Sequence, residues 1–154
     1  DTYGDPEELH LRFQGAHPHV LNMLAKIESW RMWVLCDREP VNHWSQGRTT
    51  LLGDAAHPML QYLAQGACMA MEDAVCLAKR VAAQPDDLPR AFLEYQQARY
   101  LRTTRVQLTA RLYGHAYHAA GATRDLRNAF LKSRTIEQTA DSMAWMYDRK
   151  EIPQ

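Results

Sequence analysis

The sequence predicts a mostly helical fold with a few short strands. Apolar residues recur at helical spacing over two long stretches, Gly66 to Ala78 and Leu88 to Leu112. Helix-start signals open two segments: Asp5-Pro6-Glu7-Glu8, and Asp87 ahead of Leu88. Strand-like runs are confined to Trp30–Cys36 and Thr49–Leu52. At 154 residues, 46% hydrophobic and 23% charged, the chain has the composition of one globular domain rather than a disordered segment.

The elements follow in order. Asp5 caps a first short helix carrying Leu9, Leu11 and Phe13, and His17-Pro18 punctuates it. A second short helix carries Val20, Met23, Leu24 and Ile27. Trp30 to Cys36 alternates and then turns fully apolar, as a β-strand does, and Pro40 ends it. Gln46-Gly47 is a turn, and Thr49-Thr50-Leu51-Leu52 a short β run stopping at Gly53-Asp54. The helix from Gly66 is nearly apolar until Lys79-Arg80, which predicts burial. After a break at Gln84–Asp87, a long helix runs to about Gly114, its expected core face carrying Leu88, Ala91, Phe92, Tyr95, Ala98, Leu108 and Leu112. Gly121 interrupts, and Asp125–Lys132 and Thr135–Tyr147 are further helices before a tail that frays from Asp148.

Charge is balanced overall, with 18 Lys+Arg against 18 Asp+Glu. That excludes a strongly basic nucleic-acid binder or an acidic tail as a whole-chain description. The halves differ: residues 1–77 are net −5 and residues 78–154 net +5, so the two should attract. Cys36, Cys68 and Cys76 form no C-x-x-C pattern, which argues against a disulfide framework or structural zinc and favours reduced, intracellular thiols. The longest uncharged run, Ala55 to Met71, contains His57, Pro58, Gln61, Gln65 and Gly66 and is no membrane span. No targeting segment opens the chain.

Most chemistry-bearing residue types lack a framework. His115 and His118 are three apart on a helix but have no third ligand, so no metal is assigned. There is no G-x-S-x-G. Arg99, Arg102 and Arg105 form a basic stripe whose simplest reading is a solvated face or a partner for the acidic first half. One segment differs: Gly47-Arg48-Thr49-Thr50-Leu51-Leu52-Gly53-Asp54-Ala55-Ala56-His57-Pro58, then Ala64-Gln65-Gly66-Ala67, then Glu72-Asp73-Ala74. It spells strand, tight turn with a carboxylate, loop, glycine, helix. Asp54 stands at a strand end, where α/β sheets bind ligands, and can accept hydrogen bonds from sugar-type hydroxyls. Gly66 opens a helix whose free N–H groups and positive dipole end favour an anion. Ala67, Cys68 and Ala70 are small enough for the helix to lie against a planar ligand.

This string resembles the second flavin-binding motif of the single-component FAD-dependent aromatic hydroxylases related to p-hydroxybenzoate hydroxylase. Arg48, Leu51, Gly53, Asp54, Ala55, Ala56, His57, Gln65, Gly66, Asp73 and Ala74 match its pattern. Tyr95, Arg99 and Arg102 match that family's Y-x-x-x-R-x-x-R, and Asp37-Arg38-Glu39-Pro40 with Trp44 its D-R-x-P…W lead-in. Most relatives carry Pro where this chain has Gln61; the spelling here is similar to the 3-hydroxybenzoate 6-hydroxylases. The family's G-x-G-x-x-G fingerprint is absent from the sequence.

The resemblance implies the C-terminal part of an α/β, Rossmann-type FAD-binding fold from a longer protein. It implies three segments: the end of a substrate-binding domain over 1–45, a flavin-binding strand-loop-helix over 46–84, and C-terminal helices over 85–154. It implies FAD as cofactor, NADH or NADPH as co-substrate, and hydroxylation by O2 of a phenolic acid, 3-hydroxybenzoate to gentisate. Gly53, Asp54, Gln65, Gly66 and Ala67 carry over as cofactor-binding residues. Gln61 carries over as the catalytic, substrate-binding residue that hydrogen-bonds the phenol; its amide is no base at neutral pH. No metal, nucleic acid or membrane partner is expected, the location is cytoplasmic, and homodimerisation stays open. The alternatives are a salicylate hydroxylase-type flavin enzyme, a non-catalytic helical module derived from this fold, and a nucleic-acid-binding helical domain.

Overall fold

A computed structural model describes residues 3–147, and the tail from Asp148 lies outside the described residues. The chain divides into two units, one running to Leu35 and one from Cys36 onward.

In the first unit, helix α1 (Pro6–Arg12) begins where Asp5 Oδ1 accepts the Glu7 N–H at 2.9 Å, with proline in the first turn. Helix α2 (Pro18–Leu24) is capped instead by the His17 ring, whose Nδ1 accepts the His19 N–H at 3.2 Å. Among the described residues, no strand runs over Trp30–Cys36. Arg31 makes a single antiparallel bridge with Tyr3, and the Gly4 N–H donates to Trp30 O at 3.0 Å. Alternation is only one of the conditions for a strand, and Trp33 and Val34 are exposed.

The second unit is built on two long helices. Strands β1 (Ser45–Gln46) and β2 (Thr49–Thr50) form a two-stranded antiparallel hairpin, with Ser45 opposite Thr50 and Gly47 turning the chain. Gly53–Ala55 and Gln61–Leu63 are single 3-10 turns. Helix α3 (Gly66–Ala83) lies against α4 (Leu88–Tyr117), which Asp87 caps through its carboxylate to the Arg90 N–H. Helix α5 (Gly121–Lys132) starts at the predicted glycine break. Helix α6 (Ile136–Tyr147) opens on a reciprocal cap: Thr135 Oγ1 accepts from the Gln138 N–H, and Gln138 Oε1 accepts from the Thr135 N–H.

The buried face of α4 agrees with apolar spacing in its first half, where Ala91 and Tyr95 are buried, and departs from it in the second. Leu108 and Leu112 are exposed, at 46% and 64%, while Ala91, Tyr95, Arg99, Thr103, Val106, Gln107, Ala110 and Gly114 form the buried stripe. The stripe is polar because each polar member has a partner, which removes the cost of burying it. Likewise α3 buries only Met69 and Asp73 completely, and Met71 and Val75 on its apolar surface are exposed. Two apolar clusters fill the interior: Leu63, Met69, Val106, Ala110, Trp145 and Met146 in one, Trp44, Ala56 and Tyr95 in the other.

Gly114 is required by close approach, since a Cβ there would stand 2.6 Å from the Tyr62 ring. Gly114→Val should lower stability by about 1–3 kcal/mol through overpacking. Chemical denaturation should show this as a lower midpoint at unchanged slope.

Candidate functional site

The Gly53–Pro58 turn is held from several sides. Gly53 has φ +58, a left-handed conformation open to glycine, and a Cβ built there would meet Ala70 Cβ at 3.1 Å. The turn thus rests directly on α3. Its N–H donates to Asp73 Oδ2 at 3.2 Å, and His57 Nε2 meets the same oxygen at 2.5 Å. From α4, Arg99 Nε donates to Asp73 Oδ1 at 2.6 Å. Arg38 clamps the turn's other side, donating to the carbonyls of Ala55 and Ala56 at 2.8 and 2.7 Å. Farther along α4, Gln107 donates to Pro58 O at 2.9 Å and Tyr95 OH to Leu51 O at 3.3 Å. Gln96 accepts the N–H groups of Trp44 and Ser45 and donates to Asn42 O, which seats the hairpin.

A second carboxylate joins this network. Glu72 accepts from Arg99 Nη1 at 2.7 Å and takes Arg102 in a two-pronged pair at 2.6 and 2.7 Å. Arg102 also donates to Trp145 O and Met146 O, tying α6 to the same point. The basic stripe is therefore not a solvated face at Arg99 and Arg102. It pairs with acids of the first half of the chain, the other reading its sequence allowed.

Burial pushes the Asp73 carboxyl up, but hydrogen bonds from His57 and Arg99 and their charges outweigh it, and the net shift is downward. Glu72 behaves alike, with Arg102 and Arg99 overcoming desolvation. Asp73 is thus an ionised acceptor, and His57 faces it with an Nε2–H donor. Burial, seconded by the Asp73 charge, pushes the Tyr95 hydroxyl up, so it stays a neutral donor to Leu51.

The residues singled out from the sequence line one edge of this frame. Asp54 is exposed, and a Cβ built on Gly66 would lie 3.8 Å from its Oδ1, so the carboxylate stands beside the start of α3. Helix α3 has no side-chain cap, which leaves the first-turn N–H groups of Gly66 and Ala67 without a capping partner from a side chain. An exposed acceptor and a set of helix-end donors thus lie side by side, a combination suited to a ligand bearing both hydroxyls and an electron-rich edge. Ala67 is exposed and Gly66 half-buried, whereas Gln65 is buried. Gln61 is exposed at the head of its 3-10 turn, which ends on Ala64 in the left-handed region at φ 52. Arg38, Asp73 and Gln107 received no site role from the sequence, and Tyr95 only a place on the core face. The D-R-x-P and Y-x-x-x-R-x-x-R patterns were visible, but only folding shows which backbone groups they hold. His118, a weak metal candidate, packs edge-on against Tyr62 and bonds through Nδ1 to Gly114 O. Among the described residues no group of three potential ligands is assembled for a metal, and no helix is long and apolar enough to cross a membrane.

The model of the FAD binding domain family matches residues 7–110. The chain belongs to this family. Its similarity to a 3-hydroxybenzoate 6-hydroxylase of Polaromonas naphthalenivorans is 47% identity over 146 residues, covering 95% of this chain and 36% of that protein. A 3-hydroxybenzoate 6-hydroxylase of Klebsiella oxytoca is also 47% identical, over 96% of this chain and 37% of its own length. Among solved structures, Klebsiella pneumoniae HpxO complexed with FAD and uric acid superposes with a TM-score of 0.80 at 30% identity, over 90% of this chain and 36% of that one. A salicylate hydroxylase substrate complex gives 0.78 at 33% identity, over 96% and 36%. The chain thus spans little more than a third of the relatives it matches, and its helical architecture is a piece of the FAD-binding hydroxylase fold.

Removing Arg99 leaves Asp73 buried and short of a cation. Arg99→Ala should destabilise the protein by about 3–5 kcal/mol in chemical denaturation. The acid limb tests the same pairs. Asp73 and Glu72 titrate below their ordinary values of 3.8 and 4.5 in the folded protein. Their contribution is then complete above those values and is lost as pH falls through the lower folded ones. Stability should therefore decline in that acid range, and Asp73→Asn should flatten the decline.

Proposed function

We propose that the protein to which this chain belongs is an FAD-dependent, NAD(P)H-using monooxygenase that hydroxylates a phenolic acid, 3-hydroxybenzoate to gentisate. The observation that carries the flavin reading is the exposed Asp54 carboxylate beside the uncapped start of α3, on a turn locked against that helix. Identity of 47% to two 3-hydroxybenzoate 6-hydroxylases, against 33% to the salicylate hydroxylase, supports the substrate choice.

Each residue has a distinct task. Asp54 would accept hydrogen bonds from the ribitol hydroxyls. Gly53 sets the turn that presents it, and Gln65 occupies the buried position before the helix. The N–H groups at Gly66 and Ala67 would hold the electron-rich edge of the flavin, where the positive end of α3 favours negative charge. Gln61 hydrogen-bonds the substrate phenol and favours its electron-rich phenolate. The bound flavin supplies the two-electron redox chemistry and the reaction with O2. The protein's share is orientation and charge control.

In the full-length protein, Asp54→Ala should weaken FAD binding by roughly ten- to hundredfold, the worth of one charged hydrogen bond, while stability changes little. Titration of the apoprotein by flavin fluorescence measures this, and unchanged affinity would refute the assignment. Gln61→Leu deletes the amide without locking the backbone as proline would. A lower kcat for 3-hydroxybenzoate at near-normal FAD content is expected. Unaltered turnover and regiochemistry would return the substrate to an unspecified phenolic acid.

A further inference from the structure

The Asp73 carboxylate collects three donors from two separate parts of the chain. The Gly53 N–H and His57 Nε2 come from the turn, and Arg99 Nε comes from the middle of α4. Asp73 itself sits on α3, two helical turns beyond Gly66. One helix therefore carries both the start that would face the flavin and the anchor for the turn that presents Asp54. With the contact of Gly53 on Ala70, the turn is fixed to α3 at two points, one steric and one polar.

His57 shows that the arrangement is more than packing. The ring is 1% exposed and lies against Trp44, with centroids 5.5 Å apart. Its Nδ1 is buried without a hydrogen-bond partner. An apolar side chain of the same bulk would fill the space without leaving a buried polar atom unsatisfied. What the imidazole adds is the Nε2–H bond to Asp73. That bond ties the far end of the turn to the same oxygen that holds its beginning, Gly53.

We propose that Asp73 and His57 are positioning residues for flavin binding: together they lock the Gly53–His57 turn to α3 and so hold the Asp54 carboxylate in place beside the first turn of that helix. This rests on the flavin reading of the site. Neither residue touches the ligand; both act through Asp54 and the Gly53 backbone.

The test uses the full-length protein stripped of flavin. FAD affinity is titrated by fluorescence, and thermal unfolding of the apoprotein is followed separately. His57→Leu removes the donor and keeps an apolar side chain; His57→Gln restores an N–H donor close to the place of Nε2. We expect His57→Leu to bind FAD about tenfold or more weakly, as loss of a charge-assisted bond predicts. His57→Gln should recover most of that loss, at an apoprotein melting temperature no higher than that of His57→Leu. Wild-type affinity in His57→Leu would overturn the proposal. So would affinities of both variants that simply track their melting temperatures. If His57→Leu does not fold, Asp73→Asn decides: weakened FAD binding by a folded apoprotein supports positioning, and wild-type affinity overturns it. A wild-type protein that binds no FAD would sink the flavin reading as well, whereas tight wild-type binding with an indifferent His57→Leu would sink this inference alone.

Discussion

The ion pair between Asp73 and Arg99 organises the second unit. Both partners are almost completely buried, at 0% and 3% exposure, so neither charge is tolerable without the other. Because Arg99 lies mid-way along α4 and Asp73 mid-way along α3, their 2.6 Å contact fixes the register of one helix on the other. The remaining valences of the pair reach outward. Asp73 takes the Gly53 turn and His57, and Arg99 reaches Glu72 and, through it, Arg102 and the end of α6. A hydrophobic contact of equal area would not choose a register in this way, since it has no direction.

With register fixed, α4 acts as a spine for irregular chain. Tyr95, Gln96 and Gln107 satisfy carbonyl and N–H groups of the hairpin, of Leu51 and of Pro58 that have no ladder of their own. Loops buried against a helix need such partners for their backbone groups. This is why the buried stripe of α4 is rich in polar side chains, while Leu93, Leu101, Leu108 and Leu112 face outward. The loops so held include the turn that presents Asp54 and the segment running through Gln61 to Gly66.

The flavin reading has the same physical root. Asp54 and the start of α3 bring opposite polarities to one place, carboxylate acceptor and helix-end donors, and both are left accessible. Their mutual position depends on the Gly53–His57 turn, whose regular structure is a single 3-10 turn. Rigidity is borrowed from α3 and α4 through Asp73, Arg99 and the Arg38 clamp. A binding site of this kind is as precise as the helices behind it.

Much of the local structure was legible in the sequence because its causes are local. Asp5 and Asp87 cap helices, Gly47 turns a hairpin, Gly121 divides two helices, and G-D-A-A-H marks the turn. Those signals act over a few residues and need nothing from elsewhere. The strand expected over Trp30–Cys36 is reduced, among the described residues, to the single bridge of Arg31 with Tyr3, because strand formation depends on pairing at a distance and alternation is a local signal. Hydrophobic periodicity placed Ala91 and Tyr95 of α4 in the core but misjudged its second half, because Arg99 and Gln107 become buried only once residues 26 and 49 positions away offer them partners. The sequence by itself determined that a turn carboxylate at Asp54 and a helix opening on Gly66 occur in this order, since both are local chemical facts. Only the tertiary structure decided that they stand together, because their alignment is set by charges paired between two helices across the fold.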